Sequence, residues 1–154
     1  MQEKLFLYLD MNVFKRSFDD QSTARVRLET AAIDIIFEAV SEGRYALCWS
    51  FILEYENSLN PNIERQLATL LLSQYASRII EPQETIRQRA KELEKRRIQG
   101  RDALHLACAE FAGCDYFLTC DDKLLKKGRR QQLSVTVMNP VEFVSYVEDQ
   151  NGNR

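Results

Sequence analysis

Residues 100–127, GRDALHLACAEFAGCDYFLTCDDKLLKK, decide how the rest of the chain reads. Small and apolar residues recur with helical spacing over 102–112, Gly113-Cys114-Asp115 supplies a turn, and 116–120 is a short apolar run of strand character. Acids stand at both ends of this unit: Asp102 opens the helix, and Asp121 and Asp122 follow the strand. Carboxylates gathered in a partly buried place repel one another and lose hydration, so they require a counter-charge, and a divalent cation is the simplest one.

Working outward, the N-terminal apolar residues 4–9 predict a first strand that ends on Asp10, followed by Asn12 and a polar loop over 14–21. Val26, Leu28, Ala31, Ile35, Ile36, Ala39 and Val40 recur at three- and four-residue steps, predicting a helix over 23–43 with Gly43 at its end. A second strand spans 45–49, and Ser50 stands where it can cap the helix of SFILEYENSL before Asn60-Pro61 stops it. Residues 62–77 predict an amphipathic helix with Ile63, Leu67, Leu70, Leu71 and Tyr75 on its apolar side, and 78–81 an extended link to Pro82. A charged helix over 84–99, a basic helix after Asp122, a last strand over 135–138 and a helix from Pro140 to 148 complete the chain. Helices separating short strands imply a parallel sheet. The expected fold is α/β, a three-layer α/β/α sandwich around a mostly parallel sheet of four or five strands.

At 154 residues, with 45% hydrophobic and 29% charged residues and only 5 Gly and 3 Pro, the composition is that of one soluble globular domain, expected over 1–149 with a frayed tail at 150–154. Charge interrupts every apolar run before membrane-spanning length, and Asp10 falls where a signal peptide would need continuity, so no membrane partner and a cytoplasmic location are expected. Cys48, Cys108, Cys114 and Cys120 include no CxxC pair and share the chain with one His, which argues against zinc and for buried thiols. A net charge of -2 argues against holding nucleic acid mainly by bulk electrostatics while permitting a local basic patch.

In open parallel sheets ligands bind beyond the carboxyl ends of the strands, and the acids fall there. Asp10 ends the first strand, Asp121 and Asp122 follow the strand at 116–120, and the helix after the second strand offers Glu54 and Glu56. Helical rotation of roughly 100° per residue puts Glu56 about 40° from Ile52, in the arc of Ile52, Leu53, Tyr55 and Leu59, with Glu54 on the opposite side. Glu56 is therefore the candidate ligand. The same rotation aligns Asp102 with His105, Leu106 and Ala109, and His105 reads as a hydrogen-bonding residue beside the site. Asp19, Asp20 and Asp115 read as turn residues. No phosphate loop, GxSxG or hydrolase triad is visible.

Asp10 in LYLDMN, Glu56 in SFILEYE, Asp102 in RDALHLACA and Asp121 in FLTCD together resemble the PIN-domain nucleases, and the VapC-like bacterial members among them. The resemblance covers nearly the whole chain. Ser50, six residues before Glu56, also matches the family's pattern, as do Asn12 and Thr119 beside the acids. It implies a ribonuclease that hydrolyses RNA with metal-activated water, in which Asp10, Glu56, Asp102 and Asp121 hold one or two Mg²⁺ or Mn²⁺ ions, with Asp122 in reserve. For VapC-like members it also implies an antitoxin partner and a homodimer. Lys123, Lys126 and Lys127, then Arg101, are the candidate RNA-binding residues at the rim. A different class of function, a PIN-like regulatory module that holds RNA or protein without cleaving, would be expected to have lost one of the acids.

Overall fold

Five short strands lie parallel in the order β3-β2-β1-β4-β5, with β1 Leu5–Leu9, β2 Tyr45–Ser50, β3 Arg78–Ile80, β4 Tyr116–Leu118 and β5 Thr136–Met138. The structure is a computed structural model and describes residues 4–152. The helices are α1 Met11–Lys15, α2 Ala24–Ser41, α3 Phe51–Ser58, α4 Ile63–Ser73, α5 Glu84–Lys95, α6 Gly100–Ala112, α7 Asp122–Arg129, α8 Pro140–Phe143 and α9 Asp149–Gly152. Successive strands step outward from β1 to β3, then return across the sheet to β4 and β5, so the order reverses at β1. Right-handed crossovers then place helices on both faces, giving three layers, with α2 packed on α8 and α5 on α6.

Buried β1 and β4 have Tyr8, Leu7, Leu9, Phe117 and Leu118 fully inside, as strands covered on both faces require. The turn that feeds β4 uses Gly113 at φ 75°, a left-handed helix cap that glycine adopts without a Cβ clash. All four cysteines are free and buried.

Several expectations are corrected. The 14–21 stretch is not a loop throughout, because α1 and a 3-10 turn at Arg16–Phe18 occupy much of it and bury Val13 and Phe14. The 78–81 link is instead the edge strand β3, bonded to β2 through Cys48 and Arg78, Trp49 and Ile79, Ser50 and Ile80. The buried stripe of α2 is rotated from the expected one: Glu29, Ala32, Ile33, Ile36 and Val40 face inward, while Leu28 and Ile35 are exposed. A charged residue inside the stripe hid its true phase. On α4, Ile63, Leu67 and Leu71 are exposed rather than packed, as are Tyr55, Leu59 and Tyr75. Helical periodicity locates an apolar face without saying whether the chain itself covers it. The last helix is interrupted by a π-helical turn at Val144–Glu148, and helical structure runs to Gly152 where fraying was expected; residues 153–154 lie outside the described residues.

Candidate metal centre

The carboxyl ends of β1 and β4, the point where strand order reverses, are where an open α/β sheet leaves a crevice. Asp10 follows β1 directly and is buried. Its Oδ1 accepts from the Met11 amide at 2.8 Å, and its Oδ2 accepts from Thr119 Oγ1 at 2.8 Å and Asn12 Nδ2 at 3.1 Å. Asn12 Nδ2 also reaches Thr119 Oγ1 at 3.1 Å, and Asn12 Oδ1 accepts from the Cys120 amide at 3.0 Å. Asn12 and Thr119 thus bind the end of β1 to the segment after β4. Asp121 belongs to that segment: its amide donates to Thr119 Oγ1 at 3.1 Å, and its Oδ1 caps α7 through the Lys123 and Leu124 amides.

Glu56 arrives from α3, whose first turn is capped by Ser50 Oγ accepting from the Leu53 amide at 3.3 Å. Glu56 Oε1 accepts from His105 Nε2 at 2.6 Å. Ligand atoms of Asp10, Glu56 and His105 all lie within 4.8 Å of one another. Glu54 faces away, its carboxylate taken by the indole of Trp49 at 2.7 Å. Asp102, in the first turn of α6 and only part-buried, accepts no hydrogen bond among the described residues. Its pKa is nonetheless pushed up to about 6, first by burial and then by the negative charge of Asp10, Asp121 and Glu56, with His105 opposing. That response places Asp102 in the field of the other three acids.

Asp10 is also held above the ordinary carboxylate range, because burial outweighs His105, Thr119 and the Met11 amide. For His105, burial alone would lower the pKa, but the Glu56 hydrogen bond and the charges of Asp10, Glu56 and Asp102 raise it. Burial first, and for Asp102 the neighbouring charges of Asp10, Asp121 and Glu56 as well, thus disfavour the ionised forms of Asp10 and Asp102 where no cation offsets them. Its donors are carboxylate oxygens, the hard ligands that suit Mg²⁺ or Mn²⁺. On donor chemistry and charge, the residues fit such an ion.

The pH response follows from the signs. Asp102 ionises at about 6 when folded against 3.8 ordinarily, so its contribution favours the metal-free fold below 3.8 and is lost as pH rises to about 6. The raised His105 pKa acts in the same sense, its contribution being lost as pH rises through the folded value. Mn²⁺ should therefore raise the melting temperature much more at pH 7.5 than at pH 5, as read by thermal melts with and without the ion. An equal shift at both pH values would refute the role given to these carboxylates.

Asp122 does not join the cluster. Its exposed carboxylate pairs with Arg25, at 2.7 and 2.8 Å to the two guanidinium nitrogens, which holds its pKa low. Arg25 also donates to the Cys120 carbonyl at 3.1 Å, so it braces the backbone on the near side of Asp121. Arg101 is exposed at the rim, 3.8 Å from Glu56 Oε2 and 5.4 Å from the Tyr55 ring centroid. Lys123 and Lys126 are exposed, Lys127 less so, and none makes a salt bridge among the described residues. Tyr8, Arg25 and Glu29 escaped the reading of the sequence. Only Tyr8 left a signal there: it precedes Asp10 by two residues, and strand alternation puts both on one face.

A PIN domain family model matches residues 7–130. The chain belongs to the PIN-domain family. Among solved structures of similar fold are FitAcB from Neisseria gonorrhoeae and VapBC2 from Rickettsia felis bound to a DNA fragment from their promoter. The PIN domain is 20% identical to the first, with TM-score 0.57 and coverage of 87% of this chain and 97% of that one. For the second the identity is 14%, the TM-score 0.59 and the coverage 88% and 98%. FitAB bound to an IR36 DNA fragment is 21% identical, with TM-score 0.57 and coverage of 88% and 95%. No curated protein matches the chain. Among the described residues, no helix of this PIN domain is long and apolar enough to cross a membrane.

Proposed function

We propose that this PIN domain is a metal-dependent ribonuclease and acts in the cytoplasm as the toxin of a toxin–antitoxin pair. The observation that carries the nuclease reading is that Asp10 and Glu56 converge with His105 within 4.8 Å, beside Asp102, whose carboxyl is pushed up to about 6 by burial and by the charges of Asp10, Asp121 and Glu56. When bound there, Mg²⁺ or Mn²⁺ supplies charge neutralisation at the substrate phosphate and a more acidic water. Asp10, Glu56, Asp102 and Asp121 bind and orient, directly or through water. Asn12 and Thr119 fix the Asp10 carboxylate, and the cap formed by Asp121 fixes its own. Exposed Lys123, Lys126 and Arg101, with Lys127, draw the RNA backbone across an acidic site.

The test is cleavage of single-stranded RNA by the purified protein with Mn²⁺, Mg²⁺ or Ca²⁺. Stabilisation by Mn²⁺ with no cleavage would replace this reading by that of a binding module. In the same assay, Lys123→Ala/Lys126→Ala should raise KM and leave kcat near wild type. The slope of log KM against log salt should flatten by roughly 0.7 for each phosphate that the variant no longer neutralises. An unchanged slope would remove these lysines from the RNA path.

An antitoxin and a second copy of the chain are the proposed protein partners, the antitoxin being supported by the similar fold of VapBC2 and FitAB. The exposed apolar stripe of Ile63, Leu67 and Leu71 on α4 offers a surface for one of them.

A further inference from the structure

Tyr8, Ser50 and His105 form a buried hydrogen-bonded line that ends on Glu56. Tyr8 Oη lies 2.7 Å from Ser50 Oγ and 2.6 Å from His105 Nδ1, and His105 Nε2 lies 2.6 Å from Glu56 Oε1. Tyr8 and Ser50 are fully buried and His105 nearly so, and the Tyr8 ring is stacked on Phe117 at 5.2 Å and edge-on to His105 at 5.6 Å. An ionised carboxylate only accepts, so His105 Nε2 carries the proton it shares with Glu56. With neutral imidazole, Nδ1 is then an acceptor for the Tyr8 hydroxyl, which burial keeps protonated. The Tyr8 oxygen in turn accepts from the Ser50 hydroxyl, whose oxygen accepts from the Leu53 amide. Every donor in the line has one acceptor, and the line starts at Leu53 and ends at Glu56, both on α3.

Each member also belongs to a segment that delivers a carboxylate. Tyr8 is two residues before Asp10 on β1, Ser50 six before Glu56, and His105 three after Asp102 on α6. We propose that Tyr8, acting through His105, is a positioning residue that sets the orientation of Glu56 relative to Asp10 and Asp102 for a divalent cation. The proposal rests on the metal-dependent reading of the site. Outer partners of a ligand fix its direction and are commonly needed for full metal affinity, by roughly 10- to 100-fold. Tyr8 acts one bond further out than His105, which puts its expected effect near the lower figure.

His105 is the only histidine in the chain, so its ring nitrogens give the only imidazole signals in a ¹⁵N NMR spectrum. The experiment compares wild type, Tyr8→Phe and His105→Gln by three readouts: those signals in the metal-free protein, the Mn²⁺ Kd by calorimetry, and kcat and KM on single-stranded RNA. Expected for Tyr8→Phe are a displaced His105 Nδ1 resonance, Mn²⁺ binding weakened roughly tenfold, and a lower kcat at unchanged KM. For His105→Gln the loss of Mn²⁺ affinity should be the larger, toward roughly 100-fold. If Tyr8→Phe does not fold, Ser50→Ala removes the preceding donor and is read by the same His105 and Mn²⁺ signals. The proposal is overturned if Tyr8→Phe keeps the wild-type His105 spectrum and Mn²⁺ Kd, since Tyr8 would then only fill space, or if the wild type binds no Mn²⁺. Absence of RNA cleavage by a wild type whose Mn²⁺ affinity depends on Tyr8 would overturn the nuclease reading and leave the positioning role standing.

Discussion

Asp102→Asn is expected to fold, to melt above the wild type in metal-free solution at pH 7.5, and to lose both its stabilisation by Mn²⁺ and its RNA cleavage. Among the described residues Asp102 accepts no hydrogen bond, so an amide in its place leaves no partner orphaned. What the change removes is a part-buried negative charge whose pKa is pushed up to about 6, first by burial and then by repulsion from Asp10, Asp121 and Glu56. The opposing effect is loss of a carboxylate from the first turn of α6, worth about 0.3–1 kcal/mol through the helix dipole. Repulsion and burial win, because the charged form is disfavoured where it stands. After discounting for solvent screening, the gain is on the order of 1 kcal/mol, or roughly 2–4 °C. It should vanish at pH 5, where the wild-type carboxyl is already largely protonated. Removing one ligand from a site in which a cation supplies several kcal/mol should cost on the order of 3 kcal/mol in the transition state, about 100-fold in kcat/KM. Wild-type cleavage by pure Asp102→Asn would end the assignment, and a lower metal-free melting temperature at pH 7.5 would show that the acids do not repel.

The positions of Asp10 and Asp121 beyond the sheet were legible in the sequence because strand ends are. A parallel strand must be apolar along its length, so a carboxylate placed just after one, such as Asp10 or Asp121, is visible as a break and has a known location. Glu56 could be separated from Glu54 because α3 has buried Ile52 and Leu53 to set its phase, and the indole of Trp49 holding Glu54 agrees with that rotation. Tyr55 and Leu59, expected inside from the same rotation, are exposed, because periodicity marks an apolar arc without fixing how much of it the domain covers. Asp122 illustrates a different limit. It sits one residue from Asp121 with the same chemistry, and only the distant Arg25 decides that it turns outward. Arg25 is 97 positions away, and nothing local to either residue announces the pair.

Glu29 was hidden for the same reason, and its replacement should be strongly destabilising. Its carboxylate is 1% exposed, in the middle of the buried stripe of α2. Oε1 accepts from Arg16 Nε at 2.8 Å and Nη2 at 2.5 Å, while Oε2 accepts from Asn139 Nδ2 at 2.6 Å and, more weakly, from Arg25 Nε at 3.4 Å. These contacts join the turn after α1, the start of α2 and the cap of α8, and through Arg25 they reach the Cys120 carbonyl beside Asp121. Breaking a buried pair by removing one partner costs about 3–5 kcal/mol, because the remaining charge is left without compensation. Arg16 and Arg25 are 20% and 49% exposed and can recover some hydration, which places Glu29→Ala near the lower end, about 3 kcal/mol. At roughly 2–4 °C per kcal/mol for a domain of this size, its melting temperature should fall by about 6–12 °C. Glu29→Gln keeps an acceptor for one arginine and should fall between the two. The loss should also be independent of Mn²⁺, because Arg25 is bound more closely by Asp122 than by Glu29, and the Asp121 backbone stays braced. Thermal melts of both variants with and without the ion separate the two effects. A shift of less than about 2 °C for Glu29→Ala would show that Arg16 and Asn139 find other partners and that the network does not hold α2 and α8 together.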